Sequence, residues 1–204
     1  MGNKEQTRQK ILLAVGELLA KDGFKKFGVN TLARQAGVDK VLIYRYFGGL
    51  PGLLRSFGES ADFWPTLDEI ANGNLQEFRN KPLGEAVGEL LVNFARALRK
   101  RPLTREIMAW EMLEPNELTT ILAETREEWA QRLFATFSTR LTETDLDLTA
   151  ITALLGAAIN YLVIRSRNTQ IFNLLEINSA AGWQRLEESL LQLCRNCFAE
   201  PAVS

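Results

Sequence analysis

From Ile11 to Phe198 the apolar residues recur at spacings of three and four, and no segment alternates convincingly between apolar and polar. Helices follow from that pattern, and glycine and proline divide them. Candidate helices cover 7–21, 29–36, 40–47, a stretch from the Gly48–Gly52 break to about Ser60, 83–100, 103–113, 116–141, 148–167 and 180–199. Between them, residues 63–82 are broken by Pro65, Gly73 and Pro82 and read as short helical pieces and loop, and 168–179 reads as loop. The expected fold is all-α.

The 204 residues can bury a real core as one large domain or as a small module joined to a larger one. A net charge of -1 conceals an asymmetry: residues 1–60 carry ten Lys/Arg against five Asp/Glu, and the rest carry fourteen against twenty. A basic head therefore precedes an acidic body, the arrangement a polyanionic partner requires of a head. Absence of histidine removes every Ser-His, Cys-His and imidazole-metal arrangement; catalysis by carboxylates or a lysine stays formally open, and the expectation is no enzyme, cofactor or metal. Glu17 interrupts the apolar stretch 11–20 and argues against a signal peptide. The longest apolar run, 150–164, is shorter than the roughly 20 residues of a spanning helix, so the expectation is no membrane and a cytoplasmic location.

Within the head, Ile11, Leu12, Val15, Leu18 and Leu19 give the first helix one apolar stripe, and Gly23 suits its left-handed cap. Lys4, Arg8 and Lys10 near its start serve as solvated charges or phosphate contacts. Gly28 can cap the helix VNTLARQA, which Gly37 ends, and Asp39 can cap KVLIYRYF. Two short helices joined by a three-residue turn containing glycine make a helix-turn-helix. With Ile43 and Phe47 turned inward, Lys40, Val41, Leu42, Tyr44, Arg45 and Tyr46 share the outer faces of a helix that fits the DNA major groove.

Residues 7–55 resemble the TetR family of transcriptional regulators. The likeness rests on a first helix ending in D-G-F, L-A-x-x-A-G-V at 32–38, a capping and a basic residue, and I-Y-R-Y-F at 43–47. The resemblance implies phosphate contact by Tyr44 and phosphate or base contact by Lys40. Arg45 suits either guanine or phosphate, and Tyr46 either DNA or an anchoring role in the head. Gly28, Asn30 and Thr31 at the start of the second helix, with Leu50, complete the expected DNA-facing set. Val41 and Leu42 stand where the family has small or hydroxylated residues, and Leu50 where it has a lysine. Val41 and Leu42 can touch thymine methyls but donate no hydrogen bond to bases, and the missing lysine at Leu50 removes one phosphate contact.

Two domains are expected, a DNA-binding head over 1–55 and a ligand-binding and dimerisation body over 56–204. Residues 150–164 are apolar almost all round, and such a helix must be covered on both sides. With the stripe on the last helix they predict a two-fold four-helix interface through Ile151, Leu155, Ala158, Ile159, Leu162, Trp183, Leu186, Leu190, Leu193 and Cys197, which the resemblance also implies. Phe94, Met108, Trp110, Glu111, Met112, Trp129 and Phe134 are the candidate lining of a mostly apolar ligand pocket, or plain core. Cys194 and Cys197 form a C-x-x-C without further ligands and read first as small packing residues.

The reading that unites these features is a homodimeric regulator, a repressor, that binds a palindromic operator in double-stranded DNA under control of a small apolar or aromatic effector. Rival readings are a dimeric small-molecule-binding protein with a degenerate head, and a carboxylate-using enzyme.

Overall fold

The computed structural model describes residues 3–136 and 146–198, almost all of them in helices and turns. The helices are α1 (Asn3–Asp22), α2 (Val29–Ala36), α3 (Lys40–Phe47), α4 (Leu50–Gly58), α5 (Leu67–Ile70), α6 (Leu75–Asn80), α7 (Leu83–Arg99), α8 (Pro102–Leu113), α9 (Glu117–Thr136), α10 (Leu148–Arg165) and α11 (Ala180–Cys197). The all-α expectation holds with one addition. Inside the stretch read as loop, β1 (Ile171–Phe172) pairs antiparallel with β2 (Leu175–Glu176), Phe172 opposite Leu175. The expected continuation of α9 to 141 runs outside the described residues.

The chain forms two compact units, residues 1–64 with 101–131 and residues 65–100 with 132–204. The basic head thus shares its unit with α8 and most of α9.

In the first unit, Ile11, Ala14, Val15, Leu18 and Leu19 of α1 are buried, as are Leu32, Ala33 and Ala36 of α2, Ile43 and Phe47 of α3, and Leu53, Leu54 and Phe57 of α4. Farther along, Phe57 packs against Phe63 at 4.7 Å between ring centroids. Thr104 on α8, fully buried, donates its hydroxyl to the Phe63 carbonyl at 2.6 Å.

In the second unit, α7 and α11 cross closely because α7 offers glycine where they meet. A methyl group at Gly84 would lie 2.6 Å from the Cys194 carbonyl oxygen, and one at Gly88 3.2 Å from the Cys194 Cβ. Beside this crossing, Leu83, Val87, Leu148, Cys194 and Phe198 form a core against which Leu91, Ile151, Leu155 and Leu190 pack. Glu187, buried in mid-α11, accepts from the Arg96 Nε and Nη2 at 3.0 and 2.7 Å and from Arg99 at 3.5 Å. Pairing is what makes a buried carboxylate tolerable.

Burial, and secondarily the neighbouring Cys197, push the Cys194 thiol up to about 11, whereas Cys197 is exposed. The thiolate is the reactive form. A maleimide at pH 7.5 should therefore leave Cys194 unmodified in the native protein and reach it only on unfolding; fast modification of both thiols would contradict this packing.

Candidate nucleic-acid interface

The helix-turn-helix is built by local capping. Gly28 precedes α2 in an extended conformation, and α2 ends at Gly37, which adopts φ 59° while its N–H and that of Val38 satisfy carbonyls of the last turn. Asp39 then starts α3, its Oδ1 accepting from the Val41 N–H at 2.8 Å. Gly48 closes α3 at φ 75°, and Gly49, at φ 117°, leads into α4 with Pro51 in its first turn. Both glycines hold positive φ, so the Gly-Gly break is a conformational requirement.

Ile43 and Phe47 face inward. On the opposite side Lys40, Val41, Tyr44 and Arg45 stand exposed, Val41 at 59% and Tyr44 at 57%. Leu42 and Tyr46 are half-buried. Asn30 is exposed in the first turn of α2, with Gly28 and Thr31 half-buried beside it, and Leu50 is half-buried at the start of α4. Asp39 is turned toward the N-terminus of α3 as its cap.

Two features of this site were not read from the sequence. Arg8 reaches back from α1, donates through Nη1 to the Tyr46 carbonyl at 2.8 Å, and lies 4.6 Å over the Phe47 ring. A cation there satisfies the last turn of α3 and complements its dipole, so Arg8 positions α3. Lys4 sits 5.8 Å from the Tyr46 ring centroid, which favours the anchoring role for that tyrosine. The other feature is Gly52, where any Cβ would overlap the Phe47 carbonyl oxygen; α3 and α4 meet backbone to backbone.

The same unit fastens this head to α8 and α9. Arg55 of α4 donates to Glu128 at 2.7 Å and Glu124 at 3.3 Å on α9. One turn on, a Cβ at Gly58 would lie 3.0 Å from the Thr125 methyl. At the end of α8, Trp110 donates to the Ala20 carbonyl, while Glu114 accepts from the Phe24 N–H at 3.3 Å and pairs with Lys25 at 3.0 Å.

The expected pocket residues are divided between the two units. Phe94 and Phe134 belong to the second unit and the other five to the first. Trp110 packs on Gly23 at the end of α1, and Met112 is 66% exposed. Met108 is buried. Glu111 receives a two-pronged bond from Arg126 at 2.7 and 3.0 Å, so its charge is already matched. Arg126 also lies 5.5 Å from the Trp64 ring, which meets Trp129 edge-on at 6.1 Å.

Of the residues expected at a dimer interface, Trp183 turns inward: it is 3% exposed, donates to the Ile177 carbonyl at 2.6 Å, and carries Arg99 over its ring. Ile159 is likewise buried, and Ile151, Leu155, Leu162, Leu186 and Leu190 are half-buried. Ala158, Leu193 and Cys197 are exposed. Together with Leu154 at 72% and Tyr161 at 43%, Ala158 marks an uncovered apolar side of α10. Capped at Asp147 and ending at Arg165, α10 has 18 residues and mean hydropathy 1.6, long and apolar enough to cross a membrane by length and composition, with 17% of it buried.

Residues 11–56 match the sequence profile of the bacterial regulatory proteins, tetR family. No curated protein matches the chain. Among solved structures it is similar to NalD, the secondary repressor of the MexAB-OprM multidrug efflux pump in Pseudomonas aeruginosa, with 20% identity, 96% of each chain covered and a TM-score of 0.67. A likeness of 19% identity, covering 91% of this chain and 96% of the other at a TM-score of 0.62, links it to the transcriptional regulator FadR from Bacillus subtilis in complex with stearoyl-CoA. A TetR family transcription regulator from Marinobacter aquaeolei VT8 is 17% identical over 92% of this chain and 95% of its own, with a TM-score of 0.61. Residues 11–56 are therefore a TetR-family helix-turn-helix DNA-binding domain, carried here on the fold of the TetR-family transcription regulators.

Proposed function

We propose that the chain is a repressor that binds a palindromic operator as a homodimer and is controlled by a small apolar or aromatic effector. One observation carries the DNA half of this reading. Lys40, Val41, Tyr44 and Arg45 form an exposed outer face on a helix whose opposite side is locked into the head. Such a face has the width and chemistry to enter a major groove, with Lys40 and Tyr44 suited to phosphates and Val41 to thymine methyls.

Function divides with the sequence in this reading, operator contact falling to 1–55 and effector binding and dimerisation to 56–204. Uncovered α10, with Leu193 and Cys197 of α11, supplies the two-fold surface, and pairing of two copies presents two heads to successive major grooves. Support for an apolar effector comes from the aromatic content around Trp64 and Trp129 and from the stearoyl-CoA bound by the FadR relative. Repression is suggested by the NalD relative. In this reading the protein works in the cytoplasm, where its operator DNA would be.

Coupling would run through the contacts that tie α4 and α1 to α9 and α8. An effector that shifts α8 or α9 must move Arg55, Gly58 or Gly23 with them, and a coupling of roughly 1–3 kcal/mol changes operator affinity by about 5- to 150-fold.

Selection of bound duplexes from a random pool tests the reading. An enriched inverted repeat is the expected result; a folded dimer that enriches nothing would favour a small-molecule-binding protein with a degenerate head.

A further inference from the structure

The β1–β2 hairpin in the second unit is built as a fixed projection with an apolar tip. Its two-residue turn places Asn173 at φ 49° and Leu174 at φ 64°. Asparagine tolerates that region, but a leucine there is disfavoured, and glycine is the ordinary choice. Leu174 is also 94% exposed, with Ile171 at 60% and Phe172 at 38%.

The base does not yield. Ile177 is fully buried, donates its N–H to the Gln170 carbonyl at 2.9 Å, and accepts at its own carbonyl from Trp183. Gly182 lies so close beneath the Glu176 carbonyl that a Cβ would overlap it. On the other side Phe172 meets Tyr161 edge-on at 5.6 Å, which makes the hairpin continuous with the uncovered side of α10.

A lone protomer gains nothing from a strained, solvated leucine on a rigid mount. Scaled by their exposures, Leu154, Tyr161, Ile171, Phe172 and Leu174, with the exposed alanines of α10, offer on the order of 800 Å² per copy, the amount a standard specific interface takes from each partner. Ala150, Ala153, Ala157 and Ala158 along that side of α10 allow a second helix to approach closely.

We propose that the hairpin is a dimerisation arm: in the homodimer, Leu174 of each copy packs onto the body of the other, extending the α10 contact beyond the helices. The proposal rests on the two-fold dimer proposed above and assigns part of its affinity to a segment outside the helical seam.

The test compares dimer dissociation constants of the full-length wild type, Leu174→Gly, Leu174→Asn and Ala158→Glu by mass photometry over a dilution series. Both Leu174 replacements fit the left-handed turn, so the fold is retained and the far-UV spectrum should match wild type. Each should weaken the dimer about 10- to 100-fold, and Ala158→Glu should leave monomers. A wild-type dimer that Ala158→Glu breaks while both Leu174 variants keep its dissociation constant overturns the arm and leaves the helical dimer standing. A wild-type chain that stays monomeric at micromolar concentration overturns the dimer and the arm with it.

Discussion

Replacing Gly52 with alanine should abolish sequence-specific DNA binding, with a loss of at least about 100-fold, while dimerisation through the second unit persists. The Cβ would overlap the Phe47 carbonyl, a backbone atom held by the last turn of α3, so α3 and α4 must separate. Overpacking of this kind costs typically about 1–3 kcal/mol in stability. Its larger consequence is geometric, because the outer face of α3 has to be placed correctly against base edges in both half-sites at once. Gel-shift titration with size-exclusion chromatography measures both properties. Wild-type operator affinity in Gly52→Ala would mean that the α3–α4 approach does not set the recognition helix.

The second large effect is expected at Arg126. Glu111 is half-enclosed in α8 with its side chain 10% exposed, and Arg126, 21% exposed, is its partner. Removing one member of such a pair costs about 3–5 kcal/mol because the other charge stays buried, so Arg126→Leu should lose about that much at neutral pH. The pH dependence has a definite sign. Burial raises the Glu111 pKa and Arg126 opposes the rise. A carboxyl whose folded pKa exceeds its unfolded one binds protons preferentially in the folded state, so it costs stability as pH rises through the folded value. Without Arg126 the rise is unopposed. The deficit of Arg126→Leu should therefore be largest at pH 7.5 and shrink on acidification toward the ordinary carboxylate range. Urea unfolding at pH 7.5 and 5 checks this, and the double variant Glu111→Met with Arg126→Leu should recover most of the loss. A deficit below about 1 kcal/mol, or one that grows with acid, contradicts the assignment.

The sequence was most informative where structure is decided locally. Gly37, Asp39, Gly48 and Gly49 act within three or four residues of themselves, and each sits where its turn or cap chemistry places it. Helix identity was legible for the same reason. What periodicity cannot state is which neighbour covers a face. Trp110 and Glu114 read as part of a soft, aromatic segment, yet they hold α8 to the end of α1. Trp183 fits the seam of the last helix and is instead closed over by Arg99 and Ile177 of its own chain. Gly52 passes for a helix-start residue until the Phe47 carbonyl is seen beside it. The hairpin escaped notice because two-residue strands fall below any window of alternation, and Asn173 was its one turn signal.

The central claim, that the exposed side of α3 reads DNA, meets its most direct test in the salt dependence of binding to a duplex recovered by selection. For wild type, log Kobs should fall steeply and linearly with log salt, as counterion release requires. Lys40→Ala should bind more weakly and with a slope smaller by about 1, the signature of one lost phosphate contact. If Lys40→Ala retains wild-type affinity and slope while remaining a folded dimer, α3 does not face the DNA and the account is wrong.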